Sequence, residues 1–329
     1  MAIARRPDRF QRKHPWVSFP LAVAYKYFDD LGAYLAAMLT YYAFVSLFPL
    51  LLIASTVLGF VLAGDGHLQR MLLDSALQQF PVIGSELDKP RYLSGGAAGL
   101  TVGIVGTVYG GLGVGQAFQY AANLMWGVPR NSRPNPLKAR ARSALLLVTV
   151  GLAVLATTLL SIAGSGGGGV PGAAGRYGAL AGSVVINVAV SVFAFRFAPA
   201  RRLSVRGVMP GATASALVWQ VLQTVSIFYV RHVVRHASTT NAVFEVVLGL
   251  LAYLYLAATA ILLCMEINVV RVNRMYPRAL LTPFTDNVEL TAGDRRAYSR
   301  QAKAQRFKDF QHVHVHFKQP GDRNEPDDG

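Results

Sequence analysis

One segment of the chain reads Tyr41-Tyr42-Ala43-Phe44-Val45-Ser46-Leu47-Phe48-Pro49-Leu50-Leu51-Leu52, and it lies in a run (residues 31–63) that contains no Asp, Glu, Lys or Arg. The hydrocarbon core of a bilayer is about 30 Å thick and is crossed by an α-helix of about 20 apolar residues. Since an ordinary surface helix of a soluble protein has a charged or polar face, the run predicts a transmembrane helix over residues 33–62. Pro49 lacks a backbone N–H, so a kink is expected there.

The composition of the whole chain also indicates a membrane protein. Its 329 residues are 53% hydrophobic and 15% charged, whereas soluble domains contain about 25% charged residues. The charges are missing from six segments rather than thinned evenly, which predicts an all-α polytopic membrane protein with six transmembrane helices. The spans are placed at about residues 33–62, 97–125, 143–163, 178–197, 208–230 and 242–270.

The distribution of positive charge predicts the orientation. The net charge is +15, and 26 of the 32 Lys and Arg lie in residues 1–30, in the loops after the second and fourth spans, and in residues 271–329. Cytoplasmic segments of membrane proteins carry the excess of Lys and Arg, so both termini are predicted to be cytoplasmic.

The segments outside the spans have predicted roles as well. Residues 1–30 are interpreted as a basic cytoplasmic or interfacial arm, and residues 271–329 as a polar cytoplasmic tail whose end is disordered. The expected partners are membrane lipids, whose anionic headgroups are attracted to the cytoplasmic basic loops. Nucleic acid is not an expected partner, because the charge is divided among four separate segments.

Polar side chains inside the predicted spans are candidates for a polar pathway. They lie in the first, fourth and fifth spans: Tyr41, Tyr42, Ser46, Asn187, Gln220, Gln223 and Thr224. Buried amides cost free energy unless they form hydrogen bonds. These groups therefore either join helices to one another or line a pathway.

Two acids, Glu245 and Glu266, lie in the sixth predicted span. They are about 31 Å apart along a helix, which places them near opposite edges of the membrane core. Acidic groups inside a membrane are functional candidates. The alternatives for Glu266 are an ion pair with Arg271 or contact with lipid headgroups.

Glycines in the second predicted span form one stripe on a helix: Gly99, Gly103, Gly106 and Gly110. Small residues in such a stripe allow another helix to approach closely in lipid. The stripe predicts tight helix packing, either within one chain or between two copies in a homo-oligomer.

The sequence contains none of the common catalytic patterns. There is no Ser/His/Asp arrangement, no His-Glu-x-x-His motif and no phosphate-binding P-loop, so we predict no catalytic residue, no cofactor and no enzymatic activity. His312, His314 and His316 alternate along the tail. No carboxylate stands beside them at the spacing of metal ligands, and no metal site is predicted.

Four stretches resemble, in order, the YihY/BrkB family of bacterial inner-membrane proteins. They are residues 41–49, residues 121–128 with Asn123 and Trp126, residues 210–230, and residues 251–268 with Glu266. The resemblance covers about residues 20–272. The chain departs from the family pattern at Ala122, which replaces Phe, and at Phe244-Glu245, which replaces Tyr-Gly.

The resemblance implies a six-span protein of the bacterial cytoplasmic (inner) membrane. Family members have been linked to the envelope and to virulence, and a transport role has been suggested for them. An older description of the family as a tRNA-processing ribonuclease would require a His-x-His-x-Asp-His zinc motif. The nearest segment, residues 312–317, lacks the Asp.

Three functions are considered, in decreasing order of support. The first is a transporter or exporter of a lipid or other envelope-related substrate, favoured by the amides inside the spans and by a hinge at Pro49. The second is a non-transporting membrane scaffold that recruits partners through its tail. The third is the ribonuclease.

Overall fold

The computed structural model of the protein describes residues 2–61, 96–162, 173–232, 242–285 and 288–317. Within these residues the chain is all-α, as predicted. The helices are α1 (Ala2–Lys13), α2 (Pro15–Asp29), α3 (Gly32–Val61), α4 (Gly96–Met125), α5 (Pro136–Ile162), α6 (Ala173–Phe197), α7 (Val205–His232), α8 (Ala242–Asn273) and α9 (Ala292–Ala304), with a 3-10 turn at Arg130–Ser132.

The helices α3 to α8 occupy the six stretches that the hydropathy pattern marks as spans. Among the described residues, three segments are long and apolar enough to cross a membrane, namely Pro136–Leu160, Tyr177–Phe197 and Val247–Asn273. A fourth is counted if the bent pair Pro15–Asp29 and Gly32–Leu47 forms one broken span. Helix α5 begins well before the predicted residue 143, because its charged first turns are helical although they are not apolar.

The six long helices form a closed ring. Among the described residues, each of them packs against the next one in the chain, and α3 also packs against α8, so that the first and last members of the ring meet. Helices α4 and α8 touch across the ring. Helix α2 lies outside this ring against α8.

Close approaches at glycines hold α4 between its neighbours. A Cβ atom added at Gly110 would lie 2.7 Å from the Cα of Ser46 on α3, and one added at Gly115 would lie 2.9 Å from the Cα of Ser143 on α5. Neither backbone could stay in place beside a larger residue. One member of the predicted glycine stripe, Gly110, thus lies in a contact within one chain. The surroundings of Gly99 and Gly103 lie outside the described side chains.

The chain bends sharply just before α3. Helices α2 and α3 meet at 65°, and Leu31 between them has a left-handed backbone with φ of 57°. A Cβ atom at Gly32 would lie 2.2 Å from the ring of Tyr27, so a larger residue at this position would displace that buried ring. The assigned helix α3 continues through position 49. The surroundings of Pro49, where a kink was predicted, lie outside the described side chains.

Residues that follow α8 fold back onto the N-terminal helices. Gln11 on α1 donates to the carbonyl of Arg278, and Asp8 accepts a hydrogen bond from the backbone of Leu280 at 2.9 Å. Helix α9 begins with a capping box in which Thr291 and Asp294 satisfy each other's backbone N–H groups. The part of the predicted tail that the structure describes between α8 and the end of α9 is therefore packed against the N-terminal arm. Its predicted disordered end lies outside the described residues.

Candidate functional site: a buried charge cluster

Three ionisable side chains are buried together where α2, α3 and α8 meet. Lys26 is 4% exposed, Asp30 is 3% exposed and Glu266 is fully buried. Lys26 and Asp30 form an ion pair, and Glu266 lies close enough to both to interact with them electrostatically. We call Lys26, Asp30 and Glu266 the buried charge cluster.

Local structure explains how the polar arm reaches the apolar ring. Lys26 and Asp30 are four residues apart at the end of α2, a spacing that places two side chains on the same face. The amide of Asp30 donates to the carbonyl of Lys26 at 3.0 Å, which closes the last turn of the helix. The turn through Leu31 then directs the chain into α3, and α2 lies along α8. This packing brings both side chains to Glu266.

One acid of the cluster, Glu266, is left without a hydrogen-bond donor in the described part of the chain. Neither carboxyl oxygen of Glu266 accepts a hydrogen bond from a nitrogen or hydroxyl donor among the described residues. The carboxyl group of Asp30 interacts with it, and two carboxyl groups can hydrogen-bond to each other only when one of them carries a proton. With one shared proton, the cluster has a lysine cation, one carboxylate and one neutral acid. Its net charge is then zero, which is the least costly state for a buried group.

A second contact anchors the same part of α8. The side-chain oxygen of Asn268, a fully buried residue, accepts a hydrogen bond from the backbone of Gly211 at 2.7 Å. A Cβ atom at Gly211 would lie 2.1 Å from the carbonyl oxygen of Cys264, so α7 and α8 are in backbone contact there. These are two of the stretches that carry the family resemblance, and in the structure they touch.

The remaining motif residues, Asn123 and Trp126, have a structural role. The side chain of Asn123 accepts from the backbone of Ala200 at 2.7 Å and donates to the carbonyl of Gln119 at 2.8 Å. Trp126 is 1% exposed, and the guanidinium of Arg201 lies 5.7 Å above its ring. Together they fix the loop between α6 and α7 against the end of α4.

A separate ionic network holds the segment after α8. Arg278, 1% exposed, forms ion pairs with Asp29 at 3.0 Å and with the fully buried Asp294. Burial alone would lower the pKa of Arg278, but the two carboxylates outweigh it and the pKa is raised. Asp29 is adjacent to Asp30, so this network ends next to the buried charge cluster.

The predicted pathway residues whose side chains the structure describes are not part of this cluster. Tyr41 is 61% exposed on the outer surface, and Tyr42 packs its ring against Gly113. Asn187, Gln220 and Gln223 are half-buried on α6 and α7. The side chains of Thr224 and Glu245 lie outside the described residues.

One expectation about an ion pair is resolved, and one contact was not expected. Arg271 donates to the carbonyl of Arg206, and no ion pair joins Arg271 to Glu266 in the described part of the chain, so that alternative is wrong. A polar contact that the sequence analysis missed is formed by Gln119, which donates to the hydroxyl of Ser143 at 2.7 Å between α4 and α5. Gln119 stands in an apolar segment, and that position was the only available signal.

The histidine segment does not assemble a metal centre in the described residues. No group of three or more His, Cys, Asp and Glu side chains there is placed to hold a metal ion. His312, His314 and His316 are exposed in a segment that is neither helix nor strand.

Comparison with known proteins agrees with the resemblance. The profile of the family described as "Virulence factor BrkB" matches residues 23–287. Inner membrane protein YhjD of Escherichia coli (strain K12) is 24% identical over 278 residues, which cover 78% of this chain and 81% of that protein. No solved structure matches the chain significantly. The chain is a multi-pass protein of the bacterial inner membrane, and it belongs to the virulence factor BrkB family.

Proposed function

We propose that the protein is a proton-coupled transporter, not an enzyme, and that it moves a lipid or another envelope-related substrate. The observation that carries the proposal is the buried charge cluster. Ionisable groups are rarely placed inside a membrane protein unless ion movement or substrate recognition uses them.

Loss of the shared proton changes the charge of the cluster. Two carboxylates would then face one lysine cation in a buried site, an arrangement that repulsion between the carboxylates disfavours. The cluster joins α2 and the start of α3 to α8, and α2 meets α3 at a sharp turn. Proton release would therefore loosen the contact between α3 and α8 that closes the ring, and this is the conformational step we assign to transport.

The proposal includes six spans and cytoplasmic termini. It follows the excess of Lys and Arg in the arm, the two basic loops and the tail. In this orientation the buried charge cluster lies toward the cytoplasmic side, since Glu266 lies two turns before the end of α8.

The test is proton and lipid flux across liposomes that contain the purified full-length protein, with an imposed pH gradient. Glu266→Gln keeps the side-chain size and can donate to Asp30, but it cannot bind or release a proton. We expect it to fold and to reduce flux at least about tenfold. The matched control is Glu289→Gln, an identical change at an exposed residue, and it should transport normally.

Two results would oppose the proposal. Equal flux in Glu266→Gln and the wild type would exclude the cluster as the coupling site. Absence of any flux in the folded wild-type protein would exclude transport and favour the scaffold.

The scaffold hypothesis must be tested with a truncation that is shorter than the whole tail. Removal of everything after α8 would delete Arg278 and Asp294, which are buried structural residues. Deletion of residues 318–329 alone leaves these contacts intact. A scaffold that recruits partners through its end should lose function in that variant, whereas a transporter should retain it.

A further inference from the structure

A cavity of about 950 Å³ lies between α5 and α6, at the ends where both helices meet polar loops. Five of its lining residues are cations: Lys138, Arg142, Arg196, Arg201 and Arg202. None of its lining residues is acidic. We call this cavity the α5–α6 pocket.

The five cations lack acidic partners in the described part of the chain, where the ion pairs involve other residues. Arg142 donates to the carbonyls of Phe197 and Pro199, and Arg196 donates to the carbonyl of Leu203 at 2.9 Å. These two arginines therefore fix the walls of the pocket. Their positive charge remains unbalanced.

Neighbouring features add to the positive potential. Arg300 on α9 is another nearby cation, because burial and then the positive charge of Arg201 lower the pKa of Arg300. Helix α5 begins at the pocket, where the amide of Lys138 donates to the side chain of Asn135 at 2.9 Å. The N-terminus of a helix carries a partial positive charge that favours anions.

The opposite wall of the pocket is apolar. Ala189, Val192 and Phe193 line it from α6, one to two turns further into the predicted span than Arg196. An inorganic phosphate would occupy only the charged end. A ligand with an anionic head and a hydrocarbon chain would fill both ends, and basic pockets between transmembrane helices bind such lipids.

We propose that the α5–α6 pocket binds an anionic phospholipid, with its phosphate among the five cations and an acyl chain along the apolar wall of α6. Binding at this site does not require that the lipid be transported. The inference therefore stands or fails separately from the proposed function, and a binding measurement tests it without any flux.

The test is native mass spectrometry of the full-length protein released from detergent that contains phosphatidylglycerol or phosphatidylcholine. The pocket variant is Lys138→Gln with Arg202→Gln, two exposed residues for which the described structure shows no side-chain hydrogen bond or ion pair. The matched control is Arg140→Gln with Arg206→Gln, which removes the same charge at positions close in the chain to Lys138 and Arg202 but outside the lining of the pocket.

We expect the pocket variant to bind phosphatidylglycerol about tenfold to thirtyfold more weakly, because each cation near a membrane surface contributes about 1 kcal/mol. The control should change affinity less than about threefold. Wild-type binding should weaken with added salt, which gives a second readout without any mutation.

Three results would overturn the proposal. The first is equal binding of phosphatidylcholine, and the second is an equal loss of affinity in the control variant. The third is displacement of phosphatidylglycerol by millimolar glycerol phosphate, which would assign the pocket to soluble phosphate compounds.

Discussion

Arg278→Met should release the segment that follows α8 from the N-terminal helices. The side chain of Arg278 donates to Asp294 and makes two bonds of 3.0 Å to Asp29. Methionine retains much of the apolar stem but provides no donor. The variant therefore leaves two carboxylates without their cation.

The free-energy cost of the substitution depends on the hydrogen bonds and water contacts that each carboxylate keeps. Removal of one partner from a buried ion pair costs about 3–5 kcal/mol. Asp294 keeps three hydrogen bonds, from the backbone of Ala279 and from the backbone and hydroxyl of Thr291. Asp29 is 21% exposed and can turn toward water. The low end, about 3 kcal/mol, is therefore expected, and it corresponds to about a hundredfold larger population of the released state.

Native-state proteolysis measures this population, because cleavage follows the opening equilibrium when closing is fast. Endoproteinase Glu-C is suitable, since its cleavage sites are acidic residues and neither Arg nor the introduced Met is one of them. The control is Arg295→Met, the same substitution at an exposed residue of α9. If Arg278→Met is cleaved less than about threefold faster than this control, the network does not hold the segment and the reasoning is wrong.

Further predictions concern helix contacts in the ring. Gly211→Ala should lower the free energy of unfolding, measured by thermal denaturation in detergent, by about 1–3 kcal/mol. The reason is that its Cβ would collide with the carbonyl of Cys264. Gly178→Ala, with no atom within 4 Å of the added carbon, should be neutral or stabilising, and equal effects would refute the collision. Asn123→Leu should cost about 1–3 kcal/mol by the same assay, since it leaves the amide of Ala200 without its acceptor. If Asn123→Leu changes the free energy of unfolding by less than about 0.5 kcal/mol, Asn123 does not stabilise the loop between α6 and α7.

Hydropathy placed the long helices well because the membrane requires an apolar run of defined length. The predicted range 33–62 compares with Gly32–Val61, and 97–125 with Gly96–Met125. The shorter helices α1, α2 and α9 were missed because they are polar or mixed in composition. Their order comes from contacts distant in the chain, as at Gln11, which hydropathy does not report.

The candidate site was only half visible in the sequence. Glu266 stands out as an acid in an apolar segment, but nothing near it in sequence identifies its partners. Lys26 and Asp30 have the spacing of an ordinary pair on a solvated helix. Their burial depends on the turn at Leu31 and on the approach of α2 to α8, both of which are tertiary features.

Closure of the ring by its first and last helices has a consequence for biogenesis. The ribosome delivers α2 and α3 to the membrane early, whereas Glu266 emerges only after nearly all of the membrane domain has been made. Until then the nascent chain holds Lys26 and Asp30 at an open seam, without the carboxyl group that completes their site. The last step of insertion is thus also the step that buries this ion pair and seals the bundle, so a chain truncated before α8 would present an unsealed, polar edge to the quality-control proteases of the membrane.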